Sequence, residues 1–346
     1  MSDETQKPDA PEPNTHEPNT HEPDTHEPDK PEASADNKPE DTKPAESTSA
    51  VALKKQPEHK PDRRSLFEKC RRFIPIKKIR NPPPTVSILP LRGVISAPIS
   101  GGPRGGLFLD GLKSQIEDAF KPGRLDAVAL LLNSPGGSPT QSDLIAREIR
   151  RKAKDRDVPV IAFCEDVAAS GGYWLACAAD EIFCLPTSVL GSIGVISASF
   201  GFTQAIEKLG VERRLFTAGE DKSLMDPFQP LQDKDVDKIK KIQADMHTHF
   251  IDTIKDRRGE KLEKAGDTDL FTGTFWMGRD AVDLGLADGI GTLDEELRTR
   301  FGEEVRFKFC APKRSFMPRL SFGMQALVDG VADRLEQRAH WSRFGL

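Results

Sequence analysis

The body of the chain, from about residue 82 to 310, is predicted to adopt an α/β fold with helices covering a largely parallel sheet. Runs such as Ala127–Leu132 and Val158–Cys164 are continuously apolar and end at turn residues, which is typical of strands buried on both faces. The segments between such runs, for example Ser142–Lys154, repeat apolar residues at helical spacing. Buried strands that alternate with amphipathic helices are the pattern of α/β folds.

The order of the elements follows from these runs and from the residues that interrupt them. Apolar runs predict the strands, helical spacing predicts most helices, and the small residues after Ser170 predict a short helix. The segment Asp233–Arg257 is so highly charged that we expect this helix to lie on the outside. The expected strands are Thr85–Leu91, Val94–Ile95, Ala127–Leu132, Val158–Cys164 and Glu181–Leu185, and the expected helices are Leu109–Phe120, Ser142–Lys154, Gly171–Ala179 and Asp233–Arg257, with a loop at Gly101–Gly106.

The first 62 of the 346 residues differ in composition from the body. They hold 11 of the 27 prolines, 16 acidic and 7 basic side chains, and no aromatic residue. This segment lacks the apolar groups needed for a core, and we expect a disordered acidic tail with a net charge of −9. Its THEPN/THEPD repeat (15–29) is interpreted as a solvated spacer, with weak metal binding by its histidines as the alternative.

Two further segments flank the body. Residues 63–80 carry eight basic side chains interleaved with apolar ones, which suits either a linker packed on the body or a contact with anionic lipid. Residues 311–346 place apolar side chains at every third or fourth position from Leu320 to Val331, which predicts an amphipathic helix. We expect that helix to pack on the body or on a second subunit, with membrane contact as the alternative. The expected division is therefore 1–62, 63–80, 81–310 and 311–346.

Composition also limits the cellular compartments in which the protein is expected. No stretch approaches the ~18 consecutive apolar residues of a spanning helix, and no apolar core follows the start of the chain as in a signal peptide. The five cysteines form no CxxC pair, which argues against a zinc site or a disulfide framework and favours a reducing compartment. We expect a cytoplasmic protein, with peripheral attachment to the inner membrane as an alternative, no nucleic-acid partner, and no metal or other cofactor.

Two glycine-containing breaks follow predicted strands. At Asn133–Gly137 the paired glycines let backbone N–H groups approach a ligand, as in an oxyanion hole, although an ordinary strand-to-helix turn is the simpler explanation. At Ser170 a serine between small residues opens a helix, where it serves either as an N-cap or as an accessible nucleophile.

A nucleophilic serine needs a base, and the histidines of the body are poorly placed for that role. His247 and His249 face different sides of the charged helix, so we interpret both as surface residues, and His340 is close to the C-terminus. Lysine is the alternative base. Lys222 lies in a loop-like stretch, although its surroundings alone indicate only a surface lysine. An ordinary lysine is neutral in roughly one molecule in 2,500 at pH 7, so a lysine base must be buried to lower its pKa.

Several blocks, in register along the body, resemble one family. They are NSPGG at 133–137, AASGGYW at 168–174, AADEIF at 178–183, LGSIGV at 190–195 and FTGTFWMGRDAVDLGLADGIG at 271–291. Together they make the chain similar, over about Pro82 to Phe309, to the signal peptide peptidase A, protease IV and SohB group, serine peptidase family 49.

The resemblance implies a ClpP/crotonase-like spiral of ββα units and a serine endopeptidase that cleaves apolar peptides, such as signal-peptide remnants or membrane-derived segments. It implies that Ser170 is the nucleophile and Lys222, 52 positions later, the general base. Ser192 matches a serine whose hydroxyl helps to hold the lysine. The backbone N–H groups of Gly137 and Ser170 match the oxyanion hole.

The resemblance also implies a homo-oligomer in which Ser170 and Lys222 come from neighbouring subunits. The two side chains should then lie outside hydrogen-bonding distance in a single chain. A crotonase-type acyl-CoA enzyme and a non-catalytic scaffold of the same fold are the alternative functions.

Overall fold

The computed structural model describes residues 82–96, 106–311, 338 and 341–344. Within them strands and helices alternate, and the predicted α/β class is confirmed. The acidic tail, the basic segment 63–80, most of the 101–106 loop and most of 311–346 lie outside the described residues. The strands are β1 (Thr85–Arg92), β2 (Ala127–Ser134), β3 (Val160–Ala169), β4 (Glu181–Cys184), β5 (Val189–Gly191), β6 (Phe275–Met277), β7 (Gly289–Ile290) and β8 (Arg306–Phe309). The helices are α1 (Leu109–Phe120), α2 (Pro139–Arg156), α3 (Gly171–Ala176), α4 (Thr203–Lys208), α5 (Asp233–Arg258), α6 (Gly278–Asp283) and α7 (Leu293–Phe301), with a 3₁₀ helix at Gly259–Ala265.

One strand is longer than the sequence predicts. The apolar run stops at Cys164 because Glu165 and Asp166 follow, yet β3 continues to Ala169. The two carboxylates are satisfied from β1 and β2, since Arg92 makes a two-fold hydrogen bond to Glu165 (2.6 and 2.7 Å) and Asn133 donates to Asp166 (2.5 Å).

The expectation of a strand at Val94–Ile95 is wrong. Ile95 makes only isolated bridges, one with Leu107 and one with Gly137. This residue therefore links two loops rather than extending the sheet.

The strands form one sheet that divides at β3. The order is β6-β5-β3-β2-β1-β8, while β4 pairs with β3 and β7 beside this path. The first half of β3 pairs with β4, and its last three residues, Val167–Ala169, pair with β5. Every pairing is parallel except that of β5 with β6. The carboxyl ends of β1, β2, β3 and β5 therefore lie at the same edge of the sheet.

The sheet is covered on both faces, as the apolar runs predict. Leu89 and Leu91 belong to the larger core with α1, α2 and α3, whereas Val86 and Ile88, which alternate with them, belong to a second core beneath α7. The period-two alternation of a strand produces this division.

The charged helix α5 is exposed over most of its length, as its charge predicts, and it buries one side in its second half. Phe250 and Ile254 in its second half are buried, and the ring of Phe250 stacks on Trp174 of α3 with centroids 4.6 Å apart. None of the helices among the described residues is long and apolar enough to cross a membrane. Near the C-terminus, the ring of Phe344 packs edge-on against Phe275 of β6, with centroids 5.4 Å apart.

A buried ion pair ties the end of α5 to the sheet. Arg258 donates to Asp288 (2.7 Å) and twice to the carbonyl oxygen of Gly285 (2.6 and 3.0 Å). Asp288 also accepts from the Ile182 N–H of β4 at 2.7 Å and pairs with Lys261 at 2.7 Å. Burial disfavours the charged carboxylate, but the hydrogen bonds from Arg258 and Lys261 outweigh that effect and lower the pKa of Asp288.

We predict that Asp288→Asn lowers the free energy of unfolding by about 3 kcal/mol at pH 7, because it leaves the buried Arg258 without a counter-charge. The folded-state pKa of Asp288 lies below the unfolded value of about 3.9, so its contribution is complete above about pH 4 and is lost as the pH falls further. Urea unfolding between about pH 2 and pH 7 should show a shallower acid loss in the variant than in the wild type.

Asp294→Asn is the matched control, since Asp294 is exposed and pairs with Arg298 within one helix turn at 2.7 Å. It should lower the free energy of unfolding much less than Asp288→Asn does. An equal effect of the two substitutions would contradict the structural role of the buried pair.

Candidate active site

The residues predicted to carry chemistry follow neighbouring parallel strands. Gly136 and Gly137 follow β2, Ser170 follows β3 directly, and Ser192 follows β5 directly. Because these strands are adjacent and parallel, their carboxyl ends meet at one edge, where ligands of open α/β sheets bind. The sheet thus brings together four of the residues that the sequence marks as candidates.

Ser170 occupies a strained turn between β3 and α3. Its φ is +51° and its ψ is −122°, a conformation that residues with a Cβ rarely adopt. Its N–H donates to the Gly191 carbonyl at 2.8 Å, and its own carbonyl accepts from the Trp174 N–H at 3.0 Å. The hydroxyl makes no capping hydrogen bond to the helix. Ser170 therefore stands at the N-cap position without acting as a cap, and its Oγ remains available.

The glycine loop after β2 is pressed against this turn. A Cβ on Gly136 would lie 2.8 Å from the Ser170 Cβ and 2.8 Å from the Gly171 nitrogen. Gly136 has a φ of +100° and Gly137 a φ of +138°, so both also need the conformational freedom of glycine. Ile95 holds the loop through two backbone hydrogen bonds. Its N–H donates to the Gly136 carbonyl at 2.7 Å, and its carbonyl accepts from the Ser138 N–H at 2.8 Å.

At this junction the backbone N–H groups of Gly137 and Gly171 have no acceptor among the described residues. The N–H of Gly171 is unpaired because it belongs to the first residue of α3. The expectation that the Ser170 N–H forms part of an oxyanion hole is not supported by this geometry, because that group is already bonded to Gly191.

Ser192 lies in a second strained turn. Its φ is +52°, it is 7% exposed, and its N–H donates to the Thr274 carbonyl at 2.7 Å. Its hydroxyl has no partner among the described residues. The next residue, Ile193, is fully buried, and its carbonyl oxygen lies 3.2 Å from Nε2 of His247 on α5.

This contact corrects one sequence interpretation. His249 is exposed, as expected, but His247 is half-buried and bonded beside Ser192 rather than lying free on the surface. The ring of His249 instead approaches Trp174, with centroids 5.6 Å apart.

Lys222 lies apart from these residues. Its side chain is exposed and makes no hydrogen bond or ion pair within the described part of the chain. Its loop is fixed to the beginning of α5, since Asp221 pairs with Lys238 and the Met225 N–H donates to the Asp235 carboxylate at 3.2 Å. No group of three His, Cys, Asp or Glu side chains among the described residues is placed to hold a metal ion.

Comparison with known proteins places part of the chain beside a known family. The family model described as "Peptidase family S49" matches residues 152–305, so this part of the chain is similar to peptidase family S49. The split parallel sheet and the alternation of strands and helices agree with the ClpP/crotonase-like fold that this family implies.

Individual relatives match larger or smaller parts of the chain. The chain is 42% identical over 80% of its length to a protein of Brucella abortus (strain 2308) named Na(+)/H(+) antiporter NhaA, of which it covers 39%. It is 31% identical over 61% of its length to the chloroplastic serine protease SPPA of Arabidopsis thaliana, of which it covers 30%. The chain thus spans less than half of these relatives. Among solved structures, the S97A mutant of the 1510-N membrane-bound stomatin-specific protease is 16% identical, with a TM-score of 0.41, and the match covers 67% of this chain and 99% of that one.

We predict that Gly136→Ala lowers the free energy of unfolding by about 1–3 kcal/mol, because the added methyl group must displace the Ser170 turn and the backbone is strained. The measurement is urea unfolding followed by circular dichroism. Gly123→Ala serves as the control, because a Cβ at Gly123 meets no atom within 4 Å. Equal stability of the two variants would show that the loop and the turn are not in close contact.

Proposed function

We propose that residues 81–310 form a serine endopeptidase domain in which Ser170 is the nucleophile and Lys222 the general base. The observation that carries the proposal is the turn at Ser170. Its strained backbone places an uncapped hydroxyl at the carboxyl edge of the sheet, near the acceptor-free N–H groups of Gly137 and Gly171. Strained residues of this kind cluster at active sites, and a nucleophilic serine on a sharp strand-to-helix turn is a recurrent arrangement.

The proposed reaction is acyl transfer to the serine and then to water. Ser170 Oγ attacks the peptide carbonyl carbon while Lys222 Nζ, in its neutral form, accepts the hydroxyl proton. The N–H groups of Gly137 and Gly171 stabilise the negative charge on the carbonyl oxygen. The Lys222 ammonium then protonates the leaving amine as the C–N bond breaks. A water molecule, deprotonated by the same lysine, hydrolyses the acyl-enzyme and restores the Ser170 hydroxyl.

The geometry of α5 supports a Lys222 supplied by a neighbouring subunit. The Lys222 loop contacts Asp235, near the first turn of α5, whereas the helix that follows Ser170 contacts Phe250, fifteen residues further along. At about 1.5 Å per residue, these contacts are separated by roughly 22 Å. The lysine and the serine of one chain therefore lie at opposite parts of the same helix.

The segment 194–234 carries Lys222 and is called the arm. It has the exposed surface expected of a subunit contact. None of residues 194–234, all of which are described, is buried. Phe216 is 92% exposed, Phe200 80% and Leu209 76%. Large apolar side chains left exposed favour an interaction surface, and we propose that this arm packs on a second copy of the chain. That contact would also remove Lys222 from water, which its role as a neutral base requires.

The proposed substrates are apolar peptides, such as signal-peptide remnants or membrane-derived segments. Strand β6 pairs with β5 next to the site, and its residues Phe275 and Met277 are 49% and 46% exposed. These side chains offer an apolar surface beside Ser170. A cytoplasmic location belongs to the same proposal, and the free thiols of the four described cysteines agree with a reducing compartment.

We predict that Ser170→Ala and Lys222→Ala each abolish cleavage of an apolar fluorogenic peptide, and that a mixture of the two variants recovers activity. If each site combines the serine of one subunit with the lysine of the next, random assembly of equal amounts leaves about one quarter of the sites intact. The variants are mixed under conditions that exchange subunits, and turnover is compared with that of the wild type.

A dyad formed within one chain would give no recovery, because every chain of the mixture lacks one member. Full activity of both separate variants would refute the assignment itself. Labelling of the wild type by a reactive-serine probe, located by peptide mapping to Ser170, provides the independent check on the nucleophile.

We also predict that Phe216→Asp lowers the mass of the assembled particle in analytical ultracentrifugation and reduces peptide cleavage in parallel. The introduced carboxylate would have to be buried without a partner at the proposed contact. Gln204→Asp adds the same charge at an exposed polar position of the arm and should leave both properties unchanged. An unaltered mass for Phe216→Asp would contradict the proposed contact.

A further inference from the structure

We propose that His247 is a positioning residue for the Ser192 turn, and that α5 thereby fixes the serine that holds the general base. The proposal rests on the proposed function, in which Ser192 holds Lys222. It starts from a contact that the sequence did not predict, namely Nε2 of His247 at 3.2 Å from the carbonyl oxygen of Ile193.

The direction of this hydrogen bond follows from chemistry. A backbone carbonyl oxygen only accepts, so Nε2 of His247 carries the proton and donates it. Ile193 is fully buried, and a buried carbonyl without a donor is costly, so the imidazole satisfies a group that water reaches poorly. A proton committed to this carbonyl also leaves Nε2 unable to act as the base for Ser170.

The Ser192 turn is strained and needs support from its surroundings. Ser192 has a φ of +52°, and such a conformation persists only where the surroundings determine it. The Ser192 N–H is held by the Thr274 carbonyl at 2.7 Å on one side, and the Ile193–Gly194 peptide is held by His247 on the other. Without the second contact, the Ile193–Gly194 peptide is freer to rotate, and the Ser192 turn loses its support on that side.

Helix α5 is a suitable support because it is anchored independently at both ends. Its second half stacks Phe250 on Trp174 and carries the buried Arg258, while its first half holds the loop of Lys222 through Asp235. His247 lies between these anchors and one turn before Phe250. The position of the imidazole, and with it that of the Ser192 turn, is therefore set by the same helix that packs against the helix of Ser170.

The test compares His247→Ala, His247→Gln and the matched control His249→Ala in the full chain. His249 is two residues away on the same helix, and its ring makes no hydrogen bond to any residue that the structure describes. The readouts are kcat and KM for an apolar fluorogenic peptide, the rate of Ser170 labelling by a reactive-serine probe, and hydrogen exchange of the peptide that covers Ser192–Gly194. Thermal midpoints are measured for all proteins.

We expect His247→Ala to lower kcat and the labelling rate roughly tenfold, which corresponds to about 1.4 kcal/mol of barrier, with KM changed less than about twofold. Exchange in the 192–194 segment should become faster. His247→Gln keeps an N–H donor of similar reach and should restore most of the rate and the protection, whereas His249→Ala should match the wild type. A glutamine cannot act as a base, so its rescue separates positioning from proton transfer.

Three results would overturn the proposal: wild-type kinetics and exchange in His247→Ala, equal effects of His247→Ala and His249→Ala, or a glutamine variant as impaired as the alanine variant. If the alanine variant does not fold, the glutamine variant alone decides, since loss of protection at 192–194 in it would contradict the hydrogen bond. A wild type without turnover or labelling would refute the proposed function instead. The exchange measurement would still decide whether His247 holds the turn.

Discussion

The site depends on the parallel pairing of β2, β3 and β5. Because these strands are neighbours and run in one direction, the residues that follow them, Gly136, Ser170 and Ser192, lie along one edge of the sheet. β3 pairs with β4 over its first half and with β5 over only its last three residues. The end of β5 therefore lies beside the end of β3. Helix α5 packs on the outside of this site, where Phe250 stacks on Trp174.

Both serines at this edge have backbone conformations that cost roughly 1–3 kcal/mol each. Two backbone hydrogen bonds at the turns offset part of this strain: the Ser170 N–H donates to the Gly191 carbonyl, and the Ser192 N–H donates to the Thr274 carbonyl. The first bond joins the Ser170 turn to Gly191, the last residue of β5, and Ser192 follows that residue directly, so both serines are positioned by the same short strand. The first bond also explains why the Ser170 N–H is unavailable to a substrate, while the N–H of Gly171, at the start of a helix, is left without an acceptor among the described residues.

Local signals in the sequence were sufficient for much of the fold. The helix Leu109–Phe120 occurs with its predicted bounds, because its apolar spacing is complete within the segment. The length of β3 was not predictable, because the partners of Glu165 and Asp166 lie 73 and 33 residues away. The same limit applies to the site, where the family blocks pointed to the serines but no local pattern indicated the contact of His247 with Ile193, 54 residues earlier.

The exposed arm links catalysis to assembly under the proposed function. A segment of some forty residues, none of which is buried as a whole, gains little apolar burial from its own packing, so a contact outside itself would add to its order. A second subunit that covers the arm buries Phe216 and desolvates Lys222 in the same event. The nucleophile would then gain its base only in the assembled particle, and an isolated chain would be unable to cleave peptides while it is free in solution.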